Sequence, residues 1–359
     1  MAKPTQNNTK LETLWFTRCA GGGRGGVPTA SGIAYKLGYL DEEFGREGIA
    51  LRTLQDADAG DFRYHHYDHG LESLIREGGN LFAIPAKAQG ASTRLIGLTW
   101  IDEAQSILVR PDSDIRSPGD LKGKRLALPA YRQADLDEGK RGRSIARHMS
   151  VHGYKGALAS AGLTLDDVKL VEVGRASDGE PRDTFGGFWP SYEPLVKGDV
   201  DAVYVKGAPG QDGARKHGVV VGIDLDKLPE RRFRVNNGTP RPITVHQRFL
   251  DDHYDILVRF LHQTLRAAEW AKTNLTGVRV ILQGETGSTA EAVEAAYRDG
   301  FHLSLAPDLS TERVELFRQQ TDFLLAYGVL DRDIDFDAWI DPRPLEDAQQ
   351  LRAGARAVA

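Results

Sequence analysis

The sequence has almost no cysteine: Cys19 is the single one in 359 residues. One cysteine excludes an internal disulfide, so we expect a reducing compartment. Long apolar runs are also missing, since no stretch approaches the roughly 18 to 20 apolar residues of a transmembrane helix. The polar residues 1–10 contain no apolar core of a signal peptide. The sequence therefore predicts a cytoplasmic protein without a membrane partner.

An excess of positive charge is absent as well. The 46 Lys and Arg residues stand against 51 Asp and Glu, for a formal net charge of -5. This balance is not typical of proteins that bind nucleic acid. We therefore expect a small-molecule partner, no nucleic acid, and a monomer. The length is sufficient for two domains with a full core.

Glycine, by contrast, is abundant around the one cysteine. After Cys19 and Ala20 come five glycines interrupted only by Arg24. The flanking patterns predict a strand at 12–17 and a helix at 28–45. Backbone N–H groups at such a helix start attract anions and favour a thiolate. The alternative is a buried free cysteine, although so glycine-rich a segment is hard to place in a core.

Apolar patterns of strand and helix type alternate along the chain. The first part is predicted to contain a strand at 49–54, a loop at 55–70, a helix at 71–79, and strands at 81–85, 93–100 and 106–110. Residues 131–145 are predicted to be a surface loop and 144–161 a helix. Such alternation favours a mostly parallel sheet covered by helices on both faces.

We expect two α/β lobes from this order. The first is predicted to comprise residues 11–108 and 235–359, and the second residues 109–234. A ligand is expected in a cleft between the lobes. Trp100, Trp189 and Tyr204 are candidates for an aromatic pocket, although aromatic residues more often belong to the core.

Three segments resemble periplasmic solute-binding proteins of the nitrate, sulfonate and thiamine-precursor type. They are the start of the second lobe at 120–127, the Gly-Asp-x-Asp-Ala motif at 198–202, and the helix at 248–270. The resemblance implies a two-lobed type II periplasmic-binding-protein-like fold. It does not decide the function, because this fold carries binders, enzymes and sensors.

Two further features together resemble the aromatic sulfinate desulfinase family. They are Cys19 after the first strand and the Arg-x-Gly-Gly motif at 76–79, which follows His65 and His66. Members of that family are cofactor-free enzymes that convert a hydroxybiphenyl sulfinate to a phenol and sulfite. The resemblance implies a site without a cofactor, made of a cysteine, a histidine and the motif arginine.

The resemblance assigns the catalytic roles to Cys19, Arg76 and either His65 or His66. This chain departs from the family in two ways. Its loop after the cysteine is longer and richer in glycine, and the spacing between the Tyr-Asp pair at 67–68 and the arginine is also longer. The histidine therefore cannot be placed by counting.

A sulfinate is a compact anion with two acceptor oxygens. The planar fork of Arg76 matches it, and the amides of Gly78 and Gly79 can approach closely because no Cβ intervenes. Arg24 and Thr17 complete the predicted substrate-binding set, with Arg24 either a second cation or a solvated loop residue. The alternative for Arg76 is a solvent-facing position near a helix C-terminus.

The histidines near the motif suggest two chemistries. His65 and His69 would share a helical face and could bind a metal with Asp68. No third ligand occurs at a recognisable spacing, so we predict no metal here. The favoured interpretation uses one histidine to hold or accept the proton of Cys19.

The resemblance thus implies a hydrolase that cleaves the C–S bond of an aromatic sulfinate. In one route Cys19 donates a proton to the ring carbon as sulfur dioxide leaves. In the other, its thiolate attacks sulfur and water hydrolyses the intermediate. The alternative function is a non-catalytic solute-binding protein of the ABC-transporter type, for a small anion such as a sulfonate or nitrate, or for a pyrimidine.

Overall fold

The computed structural model describes residues 10–17, 29–56, 59, 61–62, 65–131, 133–174, 189 and 192–358. The predicted site residues Cys19 and Arg24 lie outside these ranges. The chain divides into two compact units. The first contains Met1–Ile101, Pro240–Glu285 and Gly300–Ala359, and the second contains Asp102–Thr239 and Thr286–Asp299. The return of 286–299 to the second unit was not anticipated from the sequence.

The strands of the described residues are β1 (Thr13–Thr17), β2 (Ala50–Thr53), β3 (Leu74–Glu77), β4 (Thr93–Thr99), β5 (Gln105–Val109), β6 (Arg125–Pro129), β7 (Lys169–Val173), β8 (Val203–Lys206), β9 (Val220–Asp224) and β10 (Arg241–His246).

The helices, in the same ranges, are α1 (Ala30–Lys36), α2 (Tyr39–Gly45), α3 (His65–Asp68), α4 (Asn80–Ala88), α5 (Gln133–Asp137), α6 (Ile145–Ser160), α7 (Glu193–Lys197), α8 (Gly207–His217), α9 (Gln247–Asp252), α10 (Tyr254–Lys272), α11 (Leu275–Thr286), α12 (Ala290–Ala296), α13 (Thr311–Ala326), α14 (Phe336–Trp339) and α15 (Arg343–Val358).

The first unit is built on a five-stranded sheet in the order β2-β1-β3-β10-β4. β1 runs parallel to β2 and β3, whereas β10 is antiparallel to β3 and β4. In the register, Arg76 lies opposite Thr17 on one side and Thr244 on the other. Since β1 and β3 are parallel, their carboxyl ends reach the same edge of the sheet.

Two predicted elements around the motif are wrong. Residues 71–79 are not a helix but contain strand β3, and residues 81–85 are not a strand but lie within helix α4. All four residues of β3 are buried because the strand is central, with neighbours on both sides. A central strand has no exposed face, so its sequence lacks the alternation that would identify it.

Three other boundaries differ from the sequence prediction. The predicted helix at 28–45 is two helices, α1 and α2, separated at Gly38 with φ of 76°. This left-handed geometry suits glycine. The predicted loop at 55–70 contains α3, and the predicted loop at 131–145 contains α5 and a 3-10 turn at Arg141–Arg143.

The second unit contains a three-stranded antiparallel sheet, β8-β5-β9, and a parallel pair, β6-β7. Tyr204 on β8 is fully buried and its hydroxyl donates to Oε1 of Gln105 at 2.7 Å. Trp100 and Trp189 are also buried, so these three aromatic side chains are core residues. In the part of the chain that the structure describes, no helix is both long and apolar enough to cross a membrane.

Candidate functional site

Arg76 is a fully buried arginine in the middle of the first unit's sheet. Its Nε donates to the carbonyl of His66 at 2.6 Å, and its Nη2 donates to the carbonyl of Gly79 at 2.8 Å. These two bonds fix the plane of the guanidinium. The interpretation of Arg76 as a solvent-facing helix residue is therefore wrong, because the residue lies on a central strand rather than near a helix end.

His66 is the histidine that the fold brings to Arg76. Its Nε2 lies 3.5 Å from Nη2 of Arg76, and its ring packs edge-on against Phe82. Burial, then the nearby charge of Arg76, holds the pKa of His66 well below its usual value, so the ring is uncharged at neutral pH. Nδ1 of His66 is buried and has no hydrogen-bond partner among the described residues.

His65 lies on the same short helix, α3, but takes a different position. It is partly exposed and its ring centroid lies 6.2 Å from that of Phe62. Arg76 bonds to the backbone carbonyl of His66, and its Nη2 lies near the His66 ring. The two histidines that the sequence left as equal candidates therefore lie in different surroundings.

Gly78 supplies space between Arg76 and His66. A Cβ at this position would lie 2.6 Å from Cε1 of His66 and 3.0 Å from Nη2 of Arg76. Its N–H donates to the carbonyl of Pro242 at 3.3 Å, so this amide is used within the fold rather than for an anion. Gly79 is the N-cap of α4, and its carbonyl accepts from Arg76.

Gly78→Ala is expected to disturb the Arg76–His66 pair. Overpacking should lower the free energy of unfolding by about 1–3 kcal/mol. Gly284→Ala is the matched control, since Gly284 lies exposed in α11 with nothing within 4 Å of the added carbon. That change should raise stability by about 0.5–1 kcal/mol. Chemical denaturation of both variants measures the difference; equal stabilities would show that the site tolerates the extra carbon.

His69 and Thr244 form a hydrogen-bonded pair near Arg76. His69 has φ of 56°, the one positive value at a non-glycine residue in the described part of the chain. Its Nε2 shares a 2.7 Å hydrogen bond with Oγ1 of Thr244, the cross-strand neighbour of Arg76. Burial, followed by the charge of Arg76, lowers the pKa of His69 well below its usual value. A strained, buried histidine of this kind is typical of a functional region.

Thr17 and Glu77 lie beside Arg76 on the same sheet. Oγ1 of Thr17 is buried and accepts from Nε2 of Gln55 at 3.2 Å. Glu77 is buried and accepts from the hydroxyls of Ser31 and Thr99. Glu77, Gln55 and His69 were not anticipated as supporting residues from the sequence. The position of Glu77 inside the Arg-x-Gly-Gly motif was the available signal.

The described ranges contain no group of three or more His, Cys, Asp or Glu residues placed to hold a metal ion. His69, one of the proposed ligands, uses Nε2 for Thr244 instead. What the described residues bring together is a buried cation beside an uncharged imidazole, which is suited to an anion and a proton.

The fold and this arrangement define an α/β protein of the periplasmic-binding type. The family model described as NMT1/THI5 like matches residues 33–274. The chain belongs to the NMT1/THI5-like family. The predicted periplasmic-binding-protein-like fold class is confirmed by similarity to solved structures.

Two curated relatives extend the comparison along the whole chain. The chain is 24% identical to 2'-hydroxybiphenyl-2-sulfinate desulfinase of Rhodococcus erythropolis and equally to that of Rhodococcus qingshengii. Each alignment covers 94% of this chain and 93% of the relative. The resemblance to aromatic sulfinate desulfinases is confirmed at the level of sequence similarity.

Solved structures of two relatives share the fold of this chain. A cysteine-to-serine variant of DszB in complex with biphenyl-2-sulfinic acid matches with a TM-score of 0.72 and 23% identity, over 94% of this chain and 99% of that one. The periplasmic aliphatic sulphonate binding protein SsuA from Escherichia coli matches with a TM-score of 0.61 and 17% identity, over 92% of each chain. An enzyme and a binding protein therefore share this fold.

Proposed function

We propose that this protein is a desulfinase that hydrolyses the C–S bond of an aromatic sulfinate and releases sulfite. The observation that carries the proposal is the buried pair of Arg76 and uncharged His66 beside the end of β1, two residues before Cys19. Similarity to sulfinate desulfinases along 94% of the chain supports the same assignment.

Arg76 is proposed to bind the sulfinate. Its guanidinium plane is fixed by the carbonyls of His66 and Gly79. A planar cation fixed in this way can meet two anionic oxygens without losing further rotamer entropy on binding. Burial strengthens the attraction, because charge interactions are weakly screened away from water.

Cys19 is proposed to act on the C–S bond. It follows Thr17 by two residues, so its Cα lies within about 7 Å of the Cα of Thr17 by chain length alone. Thr17 is the register partner of Arg76, and neighbouring strands lie about 4.8 Å apart. Two residues of chain therefore connect the single thiol to the strand that pairs with Arg76.

His66 is proposed to handle the proton of Cys19. An uncharged imidazole can accept a proton, and its buried Nδ1 has no competing partner among the described residues. In the first route the thiol protonates the ring carbon while sulfur dioxide leaves and hydrates to sulfite, and water restores the thiol proton through His66. In the second, the thiolate attacks sulfur, the aryl carbon leaves and is protonated, and water hydrolyses the sulfur–sulfur intermediate to sulfite.

The test is release of sulfite from a panel of aryl and alkyl sulfinates by the purified protein. We expect turnover of an aryl sulfinate without any added cofactor, with one equivalent of sulfite for each equivalent of desulfinated product. Binding of sulfinates or sulfonates, measured by calorimetry, without sulfite release would instead support the solute-binding function. The fold similarity to SsuA, a binding protein, is the reason for testing this second function.

A further inference from the structure

Helix α3 carries His66, yet this helix is only one turn long, with the four residues His65–Asp68. An isolated helix of this length is unstable in water, because a first turn fixes several backbone angles for few hydrogen bonds. Contacts with the rest of the fold must therefore hold His66 in its place beside Arg76. Two such contacts connect the turn to the central strands of the sheet.

The first contact is made by Arg76 itself. Its Nε donates to the carbonyl of His66 at 2.6 Å, which attaches the backbone of the turn to β3. The helix continues from His66 to Asp68 before the chain reaches His69. The bond from Arg76 alone therefore does not attach the end of the turn.

The second contact is made by His69, which ends the turn. Its backbone N–H donates to the carbonyl of His65 at 3.1 Å, and its φ of 56° is left-handed. This conformation is unfavourable for a residue with a Cβ and persists only where the surroundings impose it. His69 is 2% exposed, and its Nε2 shares a 2.7 Å hydrogen bond with Oγ1 of Thr244. Nδ1 has no partner among the described residues, so this is the one hydrogen bond that the ring makes with them.

Both contacts end on one cross-strand pair of the sheet. Thr244 on β10 lies opposite Arg76 on β3, and both residues are fully buried. His66 and His69 are three residues apart, so the two attachment points lie within one helical turn. The turn is therefore attached at two points to two strand residues that the register holds side by side. The proposed reaction uses Arg76 and His66 but neither Thr244 nor His69.

We propose that His69 is a positioning residue: its bond to Thr244 holds the end of α3 against β10 and thereby keeps His66 beside Arg76. This inference rests on the proposed function only for its catalytic consequence. Histidine suits the role because it occurs in the left-handed region more often than most residues. Its ring nitrogen can also bond to a hydroxyl group. A displacement of about 1 Å at a group that handles a proton costs on the order of 100-fold in rate.

The protonation of His66 reports whether α3 stays in place. The charged and titratable groups that face it are Arg76 on β3, His69 at the end of α3 and Arg241 on β10. Burial lowers the pKa of His66 most, and the charges of these groups lower it further. If α3 moved away from the sheet, water would reach the ring and the main cause of the lowered pKa would be lost. The pKa should then rise toward the ordinary histidine value of about 6.5.

The test measures the pKa of His66 by NMR in protein with labelled histidine, with a His66→Gln variant to assign its signal. His69→Asn removes the bond with a residue that also tolerates the left-handed backbone. Thr244→Val removes it from the other side, because valine lacks the hydroxyl. In both variants the pKa of His66 should rise by at least about one pH unit. Thr244→Val retains the imidazole of His69, so a rise there cannot come from the loss of a neighbouring charge.

The kinetics with a sulfinate add a second measurement. Both variants should lower kcat about 10- to 100-fold. KM should change less than about threefold, because Arg76 keeps its bond to the carbonyl of Gly79. The double variant should be no slower than the slower single variant, since both changes remove the same bond. The NMR measurement needs no turnover, so the positioning role can be judged even if the wild-type protein releases no sulfite.

Thr244→Ser and Thr264→Val are the matched controls. Serine keeps the hydroxyl, so the pKa of His66 should return most of the way to its wild-type value. Thr264 is a fully buried threonine on α10 whose hydroxyl donates to the carbonyl of Phe260 at 2.9 Å, and its valine variant should leave the pKa of His66 unchanged. A wild-type pKa of His66 in both His69→Asn and Thr244→Val would overturn the positioning role. A rise in Thr264→Val or Thr244→Ser as large as that in Thr244→Val would overturn it as well.

Discussion

Sulfite release from an aryl sulfinate should fall by at least about three orders of magnitude in Cys19→Ser, as expected when a reacting side chain is removed. A serine hydroxyl is nearly the same size as a thiol but far less acidic, so it serves poorly as a nucleophile or a proton donor. Neither proposed route survives this change. The measurement is single-turnover sulfite release at saturating sulfinate.

Two controls make this result interpretable. The melting temperature of Cys19→Ser should match that of the wild-type protein, and the variant should still bind the sulfinate, because Arg76 is intact. Stoichiometric alkylation of the wild-type protein should abolish activity in parallel with the loss of free thiol. Turnover by the serine variant within a few-fold of wild type would remove Cys19 from the mechanism.

The predictions from sequence were most successful where they rested on short motifs. Arg-x-Gly-Gly at 76–79 and the single Cys19 suggested the desulfinase family, and the comparisons confirm that similarity. The alternation of apolar patterns predicted the α/β class, which the solved structures confirm. It did not predict the strand directions: β10 is antiparallel to β3 and β4, and the sheet β8-β5-β9 is antiparallel throughout. These signals are local or compositional, so they need no knowledge of which elements become neighbours.

The sequence failed where burial depends on distant neighbours. Leu71, Leu74 and Ile75 have helical spacing, yet 74–77 form a central strand because β1 and β10 flank it. The apolar run at 81–85 fits a buried strand or a buried helix equally well, and periodicity alone cannot separate the two. The structure makes it part of α4, with Pro85 inside the helix.

The supporting residues of the site were hidden for the same reason. Glu77 meets Ser31 and Thr99 only after three separate elements pack together. His66 lies against the guanidinium of Arg76, which comes ten residues later in the chain, and the sequence does not reveal this contact. A charged residue is usually expected at the surface, so Arg76 and Glu77 could not be placed in the core from the sequence alone.

Arg76→Ala is expected to lower kcat/KM for the best sulfinate by about 30- to 5,000-fold. The range corresponds to about 2–5 kcal/mol for losing one partner of a buried, charge-assisted contact. Arg76→Lys should recover only part of the loss, because an ammonium keeps the charge but not the planar fork. Both variants also lose the bonds to the carbonyls of His66 and Gly79, so stability should fall as well.

The kinetic effect must therefore be separated from the loss of stability. Rates are normalised to the folded fraction, determined by denaturant unfolding under assay conditions. Arg52→Ala is the matched control: Arg52 lies on β2 of the same sheet, its side chain is 34% exposed, and its ion pair with Asp56 is 3.4 Å long. β1 separates β2 from β3, so this variant should keep wild-type kcat/KM even though it also loses the contact of Arg52 with the ring of Trp15. If folded Arg76→Ala matched wild type in kcat/KM, Arg76 would have a purely structural role, and the proposed sulfinate site would have to lie elsewhere.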